Sequence, residues 1–193
     1  MKMDTTFKAS LLSGLFSTGL ILSLPYAIAD TTSFAGKNPS SEEIADQMLP
    51  KAKTRGISVG TTAAMAAPSA APKVSFDQIK FQFNSAELTP ESTSFLEKIG
   101  SAISTDKLNG YNFEVQGHTD AKGSAAYNMA LSKRRAESVK KYLVAHYKID
   151  AKRLKAVGKG KTDLLDKEDP ESAVNRRVVF VTVGDEIKGS LRC

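Results

Sequence analysis

The stretch from Gly117 to Arg135, GHTDAKGSAAYNMALSKRR, is predicted to connect the end of a strand to a long helix. Its polar first residues directly follow the alternating, strand-like segment from Tyr111 to Val115, and a short glycine-containing loop leads into the helical pattern. Ligands in α/β layers gather where the C-terminal end of a strand faces the first turns of the next helix. Asp120 is placed at that corner.

The helical part of this stretch has a polar face. Asn128, Ser132 and Arg135 are spaced so that they share one side of a helix. The carboxylate of Asp120 and the guanidinium of Arg135 can therefore point into one cleft, and such a pair suits a zwitterionic ligand better than an anion or a cation. A helix-capping role for Asp120 and a surface ion pair for Arg135 are the alternative interpretations.

Three separated segments carry a resemblance to a known family. They are GHTDAKG (residues 117–123), YNMALSKRRAESVKKYL (residues 127–143) and NRRVVFVTV (residues 175–183). In this order they resemble the OmpA-like peptidoglycan-binding module, which is shared by the C-terminal domain of outer membrane protein A, peptidoglycan-associated lipoproteins and flagellar stator proteins. The resemblance extends from about Val74 to about Val183.

The resemblance implies a ligand, the diaminopimelate residue of the peptidoglycan stem peptide. This residue keeps a free ammonium and a free carboxylate at its side-chain end. By the match to the family motif, Asp120 takes the ammonium and Arg135 takes the carboxylate. The chemistry is suitable, since a planar guanidinium binds a carboxylate through two hydrogen bonds and a carboxylate accepts several ammonium hydrogens.

The family motif also implies supporting residues. Thr119 would form a hydrogen bond near the ligand, and Asn128 would orient Asp120 or the backbone. The two arginines of NRRV must point to opposite faces of an extended strand. The family pattern favours Arg176 for the cleft, and Arg177 is then expected to be solvated or ion-paired.

One segment departs from the family pattern. Many members have acidic residues in segments like FDFDSAEL, where this chain has FQFNSAEL with Gln82 and Asn84. An amide still donates and accepts hydrogen bonds, but it carries no charge. Any supporting acidic contact from this segment is therefore in doubt.

The order of apolar patterns predicts β-α-β-α-β-(short α)-β, a two-layer α/β sandwich. The alternation of Ile79, Phe81 and Phe83 with polar residues predicts a half-buried strand. Thr89 is expected to cap the first helix of the module. The last strand, VVFVTV, is rich in β-branched residues and is predicted to be central. Composition and periodicity support one sheet with helices on one face, and only the strand order of the expected mixed sheet would come from the family.

The N-terminus predicts export. Lys2 and Lys8 precede an apolar run that ends in Ala27-Ile28-Ala29, so residues 1–29 have the features of a secretory signal peptide. The mature chain is then expected to begin at Asp30. An uncleaved inner-membrane anchor is the alternative, although serines and a proline interrupt the run. The net charge of +6 fits contact with anionic cell-wall or lipid head groups better than nucleic acid in an exported protein.

The remaining segments complete the predicted organisation. Residues 30–73 are expected to form a flexible linker with a possible short helix at 41–49, which spaces the module or binds another envelope protein. The module is assigned to residues 74–186 and a tail to 187–193. The single cysteine, Cys193, either links two chains through a disulfide or is an unimportant tail residue.

The sequence offers little for catalysis. The two histidines, His118 and His146, have no nearby cysteine, and no phosphate loop, metal-ligand cluster or cofactor motif is present. His118 is expected to be a satisfied structural imidazole, with a His/Asp metal or hydrolase site as the alternative. We therefore predict a peptidoglycan-binding protein of the periplasm or envelope of a Gram-negative bacterium, associated with peptidoglycan or the outer membrane. A protein-interaction adaptor is the second hypothesis.

Overall fold

The computed structural model describes residues 31–50 and 71–184. The predicted signal peptide, residues 30 and 51–70 of the predicted linker, and Cys193 lie outside the described residues. Within them, no helix is long and apolar enough to cross a membrane. The helices are α1 (Ser41–Met48), α2 (Pro90–Ile103) and α3 (Ala125–Tyr147), and the strands are β1 (Thr31–Ser33), β2 (Lys73–Phe76), β3 (Asn112–His118), β4 (Leu154–Gly160) and β5 (Val178–Val183).

The strands form one mixed sheet in the order β1-β2-β5-β3-β4. β5 is antiparallel to both β2 and β3, whereas β1 pairs with β2 and β4 pairs with β3 in parallel. The predicted α/β class is confirmed. β5 is the middle strand, as its β-branched sequence predicts, and all its residues except Val183 are buried.

The core lies between the sheet and the helices. α2 begins as predicted: Thr89 accepts a hydrogen bond from the Ser92 backbone N–H at 3.4 Å, and Pro90 is the first helical residue. The apolar side of α2 is buried. On the sheet, the rings of Phe76 in β2 and Phe180 in β5 are in contact, with their centroids 5.8 Å apart. The buried α2 residues include Phe95, Leu96, Ile99 and Ile103.

The predicted opening strand is wrong in its position. The strand is β2, which ends at Phe76, and Phe81 makes only an isolated bridge to Leu88. The residues between Phe81 and Leu88 form a turn, in which the Gln82 N–H donates to the carbonyl of Glu87 at 2.9 Å. Alternation failed as a guide here because Phe83, which the pattern grouped with Ile79 and Phe81, is 99% exposed.

The flexible-linker prediction does not hold for residues 31–50. β1 extends the sheet, and α1, capped by Ser40, lies where the sequence predicted a possible short helix. Ile44 and Met48 are fully buried in the common core, and the Met48 carbonyl accepts a hydrogen bond from Thr182 Oγ1 at 2.6 Å. Together with the buried Ala45, these side chains give one side of this short helix enough burial to dock it.

The contact between α3 and the sheet is unusually close at Gly117. A Cβ atom at this position would lie 2.2 Å from the Ser132 carbonyl oxygen. Ser132 Oγ in turn accepts a hydrogen bond from the Gly160 N–H at 2.9 Å, which links the helix to β4. The absence of a side chain at Gly117 thus lets the first half of α3 lie directly on the ends of β3 and β4, which fixes where the next residues face.

Candidate functional site

A cleft of about 470 Å³ lies between the N-terminal half of α3, the loop after β3 and the turn at residues 81–84. The structure brings all five residues predicted from the sequence to this one cleft. They are Thr119, Asp120, Asn128, Arg135 and Arg176.

Asp120 is held in place by two neighbours. One of its carboxylate oxygens, Oδ1, accepts a hydrogen bond from the Lys122 N–H at 3.2 Å. The other, Oδ2, forms an ion pair with Arg176 Nη1 at 2.9 Å. The Asp120 side chain is 17% exposed, so it faces the cleft without being fully solvated. A carboxylate accepts about four hydrogen bonds, so a ligand ammonium can still be bound.

Arg135 is fixed by one end of its guanidinium. Its Nε donates to the Ser85 carbonyl at 3.0 Å, and its Cζ lies 5.0 Å from the centre of the Phe81 ring, a cation–π contact. Burial lowers the pKa of Arg135 below its usual value, while the nearby Tyr127 opposes this shift. The terminal nitrogens make no hydrogen bond within the described part of the chain, so they are available to a carboxylate.

Thr119 and Asn128 shape the loop that carries Asp120. Both are buried, and Thr119 Oγ1 donates to the Asp120 carbonyl at 3.0 Å. Asn128 Nδ2 donates to the Lys122 carbonyl at 2.8 Å. Of the two roles that the family motif implied for Asn128, the geometry therefore shows the one that orients the backbone.

The two arginines of NRRV diverge, but not for the predicted reason. Residues 173–175 form a 3-10 turn, so Arg176 and Arg177 precede the extended strand. Arg176 lies in the cleft, whereas Arg177 is buried and donates to the carbonyls of Asp163 at 3.0 Å and Asn175 at 3.5 Å. The prediction that Arg177 is solvated or ion-paired is wrong. Turn geometry places it inside the protein.

Sequence reasoning missed several residues of the cleft. The Tyr127 hydroxyl forms a hydrogen bond with Asn84 Oδ1, which closes one side of the cleft. Asn84 adopts a left-handed backbone conformation, with φ of 54°. Helical spacing could have identified Tyr127 and Leu131, because they precede Arg135 by eight and four residues on the same helix stripe. The departures at positions 82 and 84 therefore lie in the cleft itself.

His118 is buried, as expected of a structural imidazole. Its ring nitrogens make no hydrogen bond of ordinary geometry within the described part of the chain, but the backbone and the charge of Asp163 act on it. Burial, with the charge of Arg177 adding to it, lowers the pKa of His118 to about 4. The imidazole is therefore neutral at physiological pH. Among the described residues, no group of three or more histidine, cysteine or acidic side chains could hold a metal ion.

The family model described as the OmpA family matches residues 80–177. The chain belongs to the OmpA family. An outer membrane protein A of Bordetella avium is 38% identical over 120 residues, which cover 61% of this chain and 60% of that protein. A peptidoglycan-associated lipoprotein of Pseudomonas aeruginosa is 34% identical over 99 residues, which cover 51% of this chain and 57% of that protein. The chain thus spans less than two thirds of either relative.

A solved structure shares the fold of this OmpA family member. The periplasmic domain of Helicobacter pylori MotB has a TM-score of 0.52 at 17% identity, covering 64% of this chain and 89% of that one. At that identity the similarity concerns the fold alone. The curated relatives are outer membrane proteins and peptidoglycan-associated lipoproteins of Gram-negative bacteria, and the chain accordingly belongs to the envelope of such a bacterium.

Proposed function

We propose that the cleft binds peptidoglycan through the diaminopimelate residue of its stem peptide and so tethers the protein to the cell wall. The observation that carries this proposal is that Asp120 and Arg135, opposite in charge and fixed by separate contacts, line the same cleft. The peptidoglycan-associated relative from Pseudomonas aeruginosa supports the same ligand class.

Each charged group has a defined task in this proposal. Asp120 accepts the ligand ammonium, since its two oxygens still have free lone pairs. The terminal nitrogens of Arg135 bind the ligand carboxylate, since only Nε is used by the Ser85 carbonyl. Both groups are already oriented in the free protein, so little side-chain freedom remains to be lost on binding.

The specificity comes from the zwitterion. Diaminopimelate offers an ammonium and a carboxylate on one carbon, whereas a lysine side chain offers an ammonium alone. A lysine-type stem peptide would leave the Arg135 guanidinium without a partner in a partly desolvated cleft. Leaving a buried polar group unpaired is a strong way to reject a ligand analogue.

The decisive experiment measures binding of a diaminopimelate-containing muropeptide by titration calorimetry. Asp120→Ala and Arg135→Ala should each weaken binding by ~2–5 kcal/mol, because each leaves a ligand charge unpaired. That is roughly thirtyfold or more in affinity. The double variant should lose less than the sum of the single losses, because both residues act on one ligand group.

Arg134→Ala is the matched control, since Arg134 is an exposed arginine next to Arg135 that does not line the cleft. It should bind as the parent does. All variants are first checked for folding by circular dichroism. If folded Asp120→Ala and Arg135→Ala bind the muropeptide as well as the parent, the site is elsewhere. Equal binding of lysine-type muropeptide would refute the zwitterion argument while leaving peptidoglycan binding intact.

The adaptor hypothesis predicts a different result. A module that does not bind the wall would not be retained on purified sacculi, whatever its cleft residues are. The described N-terminal segment gives this hypothesis no particular support, because α1 turns its apolar residues Ile44 and Met48 into the core. Retention of the parent protein on sacculi, lost in Asp120→Ala, would separate the two functions.

A further inference from the structure

A second, smaller cavity lies behind the cleft, next to the end of β3. Its volume is about 80 Å³, which is room for a small ion or a few waters. Phe81, Arg135 and Arg176 border both spaces. Four basic side chains line the small cavity, and no aspartate or glutamate is among the described residues that do so. They are Lys80, Arg135, Arg176 and Arg177.

Arg177 is buried and forms no ion pair within the described residues, and the charge of Asp163 acts on it from farther away. Arg177 is only 5% exposed, and within the described residues no carboxylate oxygen lies within 4.0 Å of it. Its hydrogen bonds go to two backbone carbonyls, and its Nε makes none within the same residues. Buried charges in proteins are normally paired, because an isolated one is costly to take out of water.

His118 adds unsatisfied polar atoms at the same place. It lines the cavity, is 2% exposed, and its ring nitrogens make no hydrogen bond of ordinary geometry in the described part of the chain, although the Asp163 backbone acts on the ring. The neutral imidazole has one N–H to donate. Two buried side chains thus have spare donors beside a cavity with a strongly positive lining. A neutral water would satisfy donors, but it would leave Asp163, which forms no ion pair with Arg177, as the acidic group that acts on the Arg177 charge.

We propose that this cavity binds a small monovalent anion of halide size. Chloride is the abundant ion of this kind outside the cytoplasm. The ion offsets the buried charge of Arg177 and accepts hydrogen bonds from Arg177 and His118. It also lies beside Arg135 and Arg176, and so steadies the rear wall of the cleft. This site is additional to the proposed peptidoglycan site and takes no part in binding the ligand ammonium.

The first test is thermal unfolding of the full chain in mixtures of sodium chloride and sodium gluconate at constant sodium concentration. The midpoint should rise with chloride, by about 4 °C or more at a tenfold excess over the dissociation constant. Arg177→Gln should abolish this response. If that variant does not fold, Lys80→Gln, which changes an exposed residue of the lining, should weaken the response by itself.

Lys37→Gln is the matched control, because it removes the same charge from an exposed position outside the lining. It should keep the full chloride response. Equal midpoints of the parent in chloride and gluconate would overturn the proposal, as would a response that is unchanged in both Arg177→Gln and Lys80→Gln.

Crystals grown in sodium bromide provide the second test. An anomalous peak is expected in the cavity beside Arg177 and His118, and the lack of a peak there would contradict the proposal. A peak without any chloride-dependent midpoint would identify an adventitious ion only and would also overturn it. Because no assay contains peptidoglycan, these outcomes are independent of the proposed wall binding.

Discussion

Arg176 and Arg177 are neighbours in the chain, yet they lie in opposite environments. The Arg176 side chain is 48% exposed and pairs with Asp120 in the cleft. Arg177 is buried behind that cleft and donates only to backbone carbonyls. One cation is therefore held by a carboxylate that can accept further partners, and the other is held by groups fixed in the fold.

The difference shows how the protein separates binding from stability. An exposed ion pair contributes little to folding, typically about 0–1 kcal/mol, so a ligand can rearrange it at low cost. A buried guanidinium cannot be rearranged so easily, because its hydrogen bonds replace the water that it lost. The charged side chains of the cleft can therefore rearrange when a ligand binds, whereas the positively charged interior behind them stays fixed.

The largest expected effect tests this separation through stability. Arg177→Ala should lower the free energy of unfolding by about 3 kcal/mol, because two carbonyls lose their donor and a buried side chain is truncated. Arg176→Ala should change it by no more than about 0.5 kcal/mol. Both are measured by denaturant unfolding at pH 7. Similar losses for the two variants would show that burial does not distinguish them.

The next effect uses the pH dependence of His118, which faces Arg177, Lys159 and Asp163. Its pKa is about 4 in the folded protein and near 6.5 in the unfolded chain. Between these values the unfolded chain binds one proton more, so the free energy of unfolding falls as the pH falls. From pH 7 to pH 5 the loss should be about 2 kcal/mol.

Denaturant unfolding of the parent and of His118→Gln, both in a chloride-free buffer, measures this loss. The variant should lose about 2 kcal/mol less than the parent over the same pH range. His146→Gln, which changes the exposed histidine on α3, should behave as the parent does. Were the His118 variant to keep the parental pH dependence, the buried imidazole would not be the group that titrates.

The cleft was more predictable from the sequence than the interior behind it. The sequence predicts that Asp120 and Arg135 face one cleft, because strand-to-helix turns and helical spacing are regular. Arg177 could not be placed from the sequence, because the 3-10 turn before β5 sets its direction and the alternation of an extended strand does not hold there. The proposed ligand roles of the five cleft residues remain predictions.

The segment at residues 77–88 and the N-terminal segment show a second limit. Phe83 matches the alternation of a strand, yet only the tertiary structure shows that the sheet ends at Phe76. For residues 31–50, a composition rich in small polar residues predicts a linker, while docking of α1 depends on a few buried positions such as Ile44 and Met48. Composition averages over such positions and therefore conceals them.

The smallest effect concerns Arg176 and ligand binding. Two terms oppose each other in Arg176→Ala: Asp120 loses a competing partner, and it also loses the contact that orients it, at 2.9 Å from Arg176 Nη1. We expect orientation to dominate, because Arg176 is half-exposed and its attraction for Asp120 is weakened by solvent, whereas a misplaced carboxylate loses hydrogen bonds to the ligand. Muropeptide affinity should then fall about fivefold, or ~1 kcal/mol, with Arg176→Lys intermediate. Titration calorimetry with Arg134→Ala as the control measures this change. Tighter binding by Arg176→Ala would mean that the ion pair competes with the ligand, and the cleft would then be closed by Arg176 in the free protein rather than prepared by it.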